Sequence, residues 1–329
     1  MKLSKTRLLD EAAATGFRPD TLEKVIHLLQ LLSLISENEY LRERLVLKGG
    51  TALNLFIFDI PRLSVDIDLN YVGAVDLETM NSERPQLEGL LTAICERSGY
   101  KLNRVAMAHA GGKWRLGYQS ALGGQANLEL DLNYMFRLNF HPADARDSKK
   151  VGSFQAMGVK VLDKKELAAG KLSALLTRSA SRDLFDTSNL FELLSAPDED
   201  LRLVFVLYGA MNPRANWCEL SAGDVKGDLK DLREKLLPVL KVGRAPDAVS
   251  QKEYFDSLIK QCRQLVEPLF PLRENEREFV SLLRDNGEIR PELITDDNET
   301  REKIRCHPGI LRRASMAKRN RLDKACEQF

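Results

Sequence analysis

The sequence predicts an α+β fold, with a mixed sheet and its helices in the first half of the chain and a mainly helical second half. Two observations carry this. Up to Leu162, short segments of strand length, some strictly alternating apolar with polar residues, are interleaved with helical repeats and with the glycine pairs Gly49-Gly50, Gly111-Gly112 and Gly123-Gly124. Beyond Leu162 the apolar residues recur largely at helical spacing. At 329 residues the chain is long for a single core. The expected division is therefore a sheet-containing domain over 1–162 and a helical domain over 163–329.

The elements follow in order. A helix is expected over 20–36, where Leu22, Val25, Ile26, Leu29 and Leu32 share a face and Asp20 or Thr21 would cap it after Pro19. The apolar run 45–48 is a strand. Gly49-Gly50-Thr51 then forms a turn whose backbone N–H groups are open, and 51–58 reads as a helix whose N-terminal dipole favours a phosphate at that turn. Pro61 ends this helix and admits the strand in RLSVDIDL, where alternation would put Ser64, Asp66 and Asp68 on one face and Val65, Ile67 and Leu69 on the other. A helix over 81–98 buries Leu87, Leu90, Leu91 and Ile94. Extended segments at 100–106, 113–120 and 126–133 are separated by the other two glycine pairs. In the last of them Glu129, Asp131 and Asn133 oppose Leu128, Leu130 and Leu132. The polar, basic stretch 144–151 reads as a loop or hinge, and 157–162 as a last short strand. The string KKELAAGKLSALLTRSASRDLFDTSNLFELL reads as two helices broken near 179–181, with Leu167, Leu172, Leu175 and Leu176 on the first apolar face and Leu184, Phe191 and Leu194 on the second. Loops are expected at 210–227 and 285–298.

Composition bounds the function. The chain is 43% apolar and 29% charged, as an ordinary globular protein is. A net charge of +1 means that any nucleic-acid surface must be a local patch. Cys95, Cys218, Cys262, Cys306 and Cys326 are far apart and form no Cys-x-x-Cys pair, which suits a reduced, cytoplasmic setting. Asp10 and Glu11 precede the first apolar run, and the apolar stretch 203–211 is too short for a bilayer, so neither export nor a membrane anchor is expected. His27, His109, His141 and His307 lack metal-ligand spacing, which argues against zinc, and neither a P-loop nor a Gly-x-Ser-x-Gly elbow is present.

The chemistry-bearing residues cluster in two stretches. Two carboxylates on one strand face, Asp66 and Asp68, repel each other unless a cation holds them, and a hard divalent ion such as Mg²⁺ is the usual occupant of such an oxygen site. The bland alternative is a solvated strand face. Asp131 is the first choice for a third carboxylate and Glu129 the reserve. Lys171 falls on or near the apolar face of its helix, where its ammonium must either snorkel outward or meet an anion. In Arg182-Asp183-Leu-Phe-Asp186 the two acids share a helix face, and the bland reading is a helix N-terminus whose dipole they complement. Thr51 could donate to a phosphate or cap its helix, Arg62 and Ser64 could orient the acidic strand, and Lys48 could simply face solvent. Near the C-terminus, Arg301, Lys303, Arg305, Arg312, Arg313, Lys318, Arg319, Arg321 and Lys324 face few acids, a density that fits RNA-backbone contact as well as a solvated helix surface.

Gly50-Thr51 followed by Asp66-x-Asp68 resembles the signature of the polymerase-beta type nucleotidyltransferase superfamily. The longer strings KGGTALNLF and RLSVDIDLNY resemble one branch of it, the AbiEii/AbiGii nucleotidyltransferase toxins of type IV toxin-antitoxin and phage-defence systems. Fourteen residues separate Thr51 from Asp66, at or beyond the long end of the usual gap, which places the chain in a divergent branch. The resemblance implies a polymerase-beta-like sheet and a helical domain contributing to the nucleotide and RNA site. It implies a nucleotidyltransferase that uses an NTP with Mg²⁺, or Mn²⁺, held by Asp66, Asp68 and Asp131. Gly49, Gly50, Thr51, Ser64, Lys171, Asp183 and Asp186 would bind nucleotide, with Lys171 on its phosphates. The acceptor would be RNA, with the 3′ end of tRNA as the case that blocks translation, and a separately encoded antitoxin would be the partner. Transfer to a protein or small molecule, or a non-catalytic nucleotide- or RNA-binding scaffold, are the alternatives that the same residues leave open.

Overall fold

The computed structural model describes residues 3–105, 111–194 and 197–326. Ala106, at the end of an expected strand, and His109 lie outside the described residues, as do the side chains of Phe191 and Lys324. The chain forms two compact units, 1–164 together with 233–251, and 165–232 together with 252–329. The segment 233–251 thus belongs with the first unit although it follows much of the second in sequence.

The first unit opens with α1 (Lys5–Thr15), capped by the Ser4 hydroxyl and closed by Gly16 at φ 75°. Then comes α2 (Pro19–Glu37), which starts one residue earlier than periodicity suggests. Its cap position is Arg18 rather than Asp20 or Thr21, because Pro19 supplies a preset φ and has no N–H to satisfy at the first helical position. The short α3 (Glu39–Arg44) leads into β1 (Leu45–Lys48), and α4 (Gly49–Thr51) runs on as a π-helical turn through Ala52–Ile57. β2 (Asp66–Tyr71), α5 (Leu77–Arg97), β3 (Lys101–Val105), β4 (Gly111–Gln119) and β5 (Gln125–Asn133) follow. Two three-residue strands, β6 (Asp144–Arg146) and β7 (Val159–Val161), complete the sheet.

The strands lie in the order β3-β4-β5-β2-β1-β7-β6. β2 runs parallel to β5 and β1 parallel to β7, while the remaining pairs are antiparallel, so the sheet is mixed. Side-chain alternation divides its faces. Ile67, Leu69, Trp114, Leu116, Tyr118, Leu128, Leu130 and Leu132 are buried, and α2 packs against β5, β7 and α5. The opposite positions carry the charges. Segment 233–251 is fastened to this unit by backbone: the Leu63 amide donates to the Val239 carbonyl at 2.9 Å and the Val242 amide to the Gly16 carbonyl at 2.7 Å.

In the second unit, α6 (Lys164–Thr177) and α7 (Ser181–Leu194) form the expected pair. Their junction is fixed by α9 (Leu229–Asp231) and its cap: Ser181 N–H donates to Asp231 Oδ2 at 2.8 Å and its hydroxyl to the Asp228 carbonyl at 3.0 Å. α8 (Glu199–Met211) buries Val204, Phe205 and Leu207, and Trp217 from the following loop packs 5.3 Å from the Phe205 ring. α10 (Gln251–Val266), α11 (Glu274–Ser281), α12 (Asn298–Cys306) and α13 (Pro308–Cys326) fill the rest, sealed by Phe279, Leu283, Ile304 and Ile310. Among the described residues no helix is long and apolar enough to cross a membrane.

Candidate active site

The first cluster is built where β1 hands over to α4. Gly49 has φ +74°, and a Cβ there would run into the Asp68 carboxyl group. Glycine is thus required both by the backbone and by the approach of Asp68. Thr51 is fully buried, and its hydroxyl donates to the Asp66 carbonyl at 2.5 Å. The first helical turn is thereby tied to the first residue of β2, and the Thr51 proton is committed to that brace. The Gly50 carbonyl accepts from Asn54 Nδ2 at 2.9 Å.

Register then assembles the charges. Asp66 sits beside Glu129 and Asp68 beside Asp131 across the parallel β2–β5 pair. On the outer sides of that pair, Lys48 of β1 neighbours Asp68, Lys113 of β4 neighbours Asp131, and Arg115 neighbours Glu129. Directly paired positions project to the same side of a sheet, with Cβ atoms about 5 Å apart. The result is a two-by-two array of carboxylates flanked by cations. Within it Lys113 Nζ lies 2.7 Å from Glu129 Oε2 and 3.6 Å from Asp131 Oδ2, and Arg115 reaches Glu129 at 3.4 Å.

The titration tendencies of the two β5 acids diverge. The Lys113 ammonium hydrogen-bonded to Glu129 holds its carboxyl below the usual range, and Arg115 adds to this. Burial pushes the Asp131 carboxyl up; Asp68 and Glu129 reinforce the rise, while Lys113 opposes it. Asp131 is therefore the acid on which negative charge is held at greater cost, and it stands directly beside Asp68. Among the described residues no three His, Cys, Asp or Glu side chains are already close enough together to enclose a metal ion. The set Asp66, Asp68 and Asp131 is thus not preformed as an enclosing site, but the directly paired Asp68 and Asp131 already match the one or two carboxylates that Mg²⁺ commonly takes, its other oxygens coming from water and phosphate. The adjacent Asp68 and Asp131, with Gly49 leaving room for the Asp68 carboxyl group itself, fit a hard cation in that manner.

Ser64 is buried but lies before the ladder, which begins at Asp66, so strand alternation does not set its direction. Arg62 is 2% exposed, donates to the Leu63 carbonyl at 2.8 Å and bridges to Leu240. It is a buried brace, not an exposed arginine ahead of the strand.

The second cluster lies within the helical unit. Lys171 on α6 places its ammonium 2.8 Å from Asp183 Oδ1 and 2.8 Å from Asp186 Oδ2, both on α7. Asp183 and Asp186 are fully buried and Lys171 nearly so. Arg178, in the junction, adds hydrogen bonds of 2.5 and 3.0 Å to Asp183. Burial works against the Asp183 carboxylate, but Lys171 and then Arg178 outweigh it and hold its pKa below the usual range. The anion that a lysine on an apolar helix face requires is thus supplied from within the chain.

Lys113, Arg115 and Arg178 escaped the sequence reading. For the first two the hairpin was legible but its register was not: a two-residue Gly123-Gly124 turn would set Arg115 opposite Leu132, whereas the five-residue loop 120–124 pairs Arg115 with Glu129 and Lys113 with Asp131. Arg178 had only its place in a helix break.

Comparison with known proteins agrees with this architecture. A search of curated proteins yields no match. Among solved structures, MenT4, a nucleotidyltransferase toxin from Mycobacterium tuberculosis H37Rv, superposes with a TM-score of 0.59 at 18% identity, over 94% of this chain and 99% of that one. At that identity the likeness speaks for the fold. The family model for the nucleotidyl transferase AbiEii toxin of type IV toxin-antitoxin systems matches residues 31–280, which hold both charged clusters. The chain belongs to the AbiEii family of nucleotidyltransferase toxins.

Proposed function

We propose that this nucleotidyltransferase uses a divalent cation, Mg²⁺ or Mn²⁺, to transfer a nucleotide from an NTP to an RNA acceptor, and that the tRNA 3′ end is the acceptor whose modification blocks translation. The observation that carries the reading is the register of β2 with β5, which sets Asp68 beside Asp131 and Asp66 beside Glu129, with Gly49 leaving room against Asp68. Asp66, Asp68 and Asp131 would hold the cation, which when bound neutralises phosphate charge and acidifies the attacking hydroxyl. Asp131, directly beside Asp68, would take the proton of that hydroxyl. The acceptor oxygen bonds to the α-phosphorus, the bond to the bridging oxygen breaks, and pyrophosphate leaves. Asp183 and Asp186 keep Lys171 charged and fixed, and Lys171 so held would contact nucleotide phosphate. The biological setting would be a type IV toxin-antitoxin or abortive-infection module with a separately encoded antitoxin, acting in the cytoplasm.

The test is incubation of the purified chain with total bacterial RNA, Mg²⁺ and each α-labelled and γ-labelled NTP, with Asp66→Ala/Asp68→Ala as control. Label from the α position on tRNA, lost in the control, is expected, together with loss of growth arrest when the folded double variant is expressed. Transfer to protein or a small molecule, with RNA unlabelled, would overturn the RNA assignment; RNA binding without any cation-dependent transfer would overturn the catalytic one.

A further inference from the structure

The acidic face of the sheet contains a cation that the transfer chemistry above does not use. Lys113 enters β4 beside Asp131, with Asp68 on the next strand beyond, and its side chain is 29% exposed. Its ammonium contacts both acids of β5, Glu129 at 2.7 Å and Asp131 at 3.6 Å, so one Asp131 oxygen already faces a positive charge. Arg115 is more exposed, at 57%, and reaches Glu129. Four carboxylates brought together by register repel one another, and the +1 charge nearest Asp131 is this lysine.

We infer that Lys113 is a resident counter-ion of the carboxylate array, a positioning residue that restrains Glu129 and Asp131 when no metal is bound and gives up Asp131 when a divalent cation enters. This rests on the reading that Asp66, Asp68 and Asp131 bind such a cation. Two physical consequences follow from the geometry. A fixed positive charge beside the site repels an incoming ion, and the Asp131 oxygen must leave one cation to meet another. Lys113 therefore weakens cation affinity while stabilising the empty array. Stronger repulsion in its absence would be relieved by the metal itself. The anion-rich nucleotide then has a tethered ammonium beside it once Asp131 has turned to the ion.

The experiment follows free Mn²⁺ by electron paramagnetic resonance during titration of the full chain without nucleotide, for the wild type, Lys113→Met, Lys113→Gln, Lys113→Arg and Asp68→Asn. The two neutral variants should bind Mn²⁺ about ten-fold more tightly than wild type. Lys113→Arg should stay near wild type and Asp68→Asn should lose the site. In EDTA, Lys113→Met should melt at a lower temperature than wild type, and the gap should close when Mn²⁺ is added. If wild-type binding depends on Asp68 but both neutral variants bind equally or more weakly, the counter-ion inference falls and the metal reading stands. If Mn²⁺ binding is indifferent to Asp68→Asn, the metal reading falls and the inference with it. Using two neutral variants keeps the outcome decisive should one of them fail to fold.

Discussion

Gly49 shows how narrowly one position can be specified. Its backbone lies in the left-handed region and the Asp68 carboxyl group occupies the space a methyl would take. Gly49→Ala should therefore cost about 2 kcal/mol in urea unfolding and abolish nucleotide transfer, since Asp68 has to move. A variant of wild-type stability with unchanged transfer would refute that account. Asp183 makes a different case, because its worth is pH-dependent. Its folded-state pKa is depressed by Lys171 and Arg178 against the opposing effect of burial. A depressed carboxylate contributes stability above its unfolded pKa of about 4, and loses it as pH falls through the lower folded value. Asp183→Asn should be destabilised by about 3 kcal/mol at pH 7, because Lys171 and Arg178 lose the buried carboxylate they share. That gap should begin to narrow in unfolding measured below about pH 4, where the carboxylate of the unfolded wild type takes up a proton, and close as pH falls through the lower folded value. A gap independent of pH would show that the Asp183 charge carries no stability.

At the scale of elements, packing overrides propensity. Gly209 lies within α8, where alanine would normally favour the helix by about 1 kcal/mol. Here a Cβ would strike the indole of Trp217, which is 1% exposed and packed on Phe205. Gly209→Ala should therefore lower stability by about 2 kcal/mol, measured by chemical denaturation, and redden tryptophan emission as the indole is displaced. The basic C-terminal helices are similarly sorted by their surroundings. Arg301, Lys303 and Arg305 pair with Asp296, Glu299, and Glu292 and Glu302. Arg313 is half-buried, and burial followed by the neighbouring Arg284 pushes its pKa down. Arg312, Lys318 and Arg319 are exposed on α13. If the patch grips RNA, Arg312→Glu/Arg319→Glu should weaken binding most at low salt and flatten the salt dependence by about two phosphate contacts. Affinity equal to wild type at all salt concentrations would remove α13 from the RNA surface.

At the scale of the whole chain, the decisive feature is the return of 233–251 to the first unit. Its Val239 carbonyl receives the amide of Leu63, three residues before Asp66. A fragment ending at residue 164 should exchange the Leu63 amide faster and unfold less cooperatively than the same unit in the full chain, and a 233–251 peptide added in trans should restore protection. Equal protection in the fragment would make the return incidental. By itself the sequence determined the elements: period-two alternation in NLELDLN and the apolar spacing of α2 and α6 report local geometry, and local geometry is what a linear pattern encodes. It also determined that Asp66 and Asp68 share a strand face, and that Lys171 had either to snorkel outward or to meet an anion. Only the tertiary structure decided which residues meet. The β2–β5 pairing joins strands that α5 and a whole hairpin separate, and no local pattern encodes such a parallel register. Asp183 and Asp186 became the partners of Lys171 through the packing of α7 on α6, and Lys113 reached the acidic array through pairing across β4 and β5. The physical reason is common to all three: a charge in a protein is defined by its neighbours, and folding is what selects them.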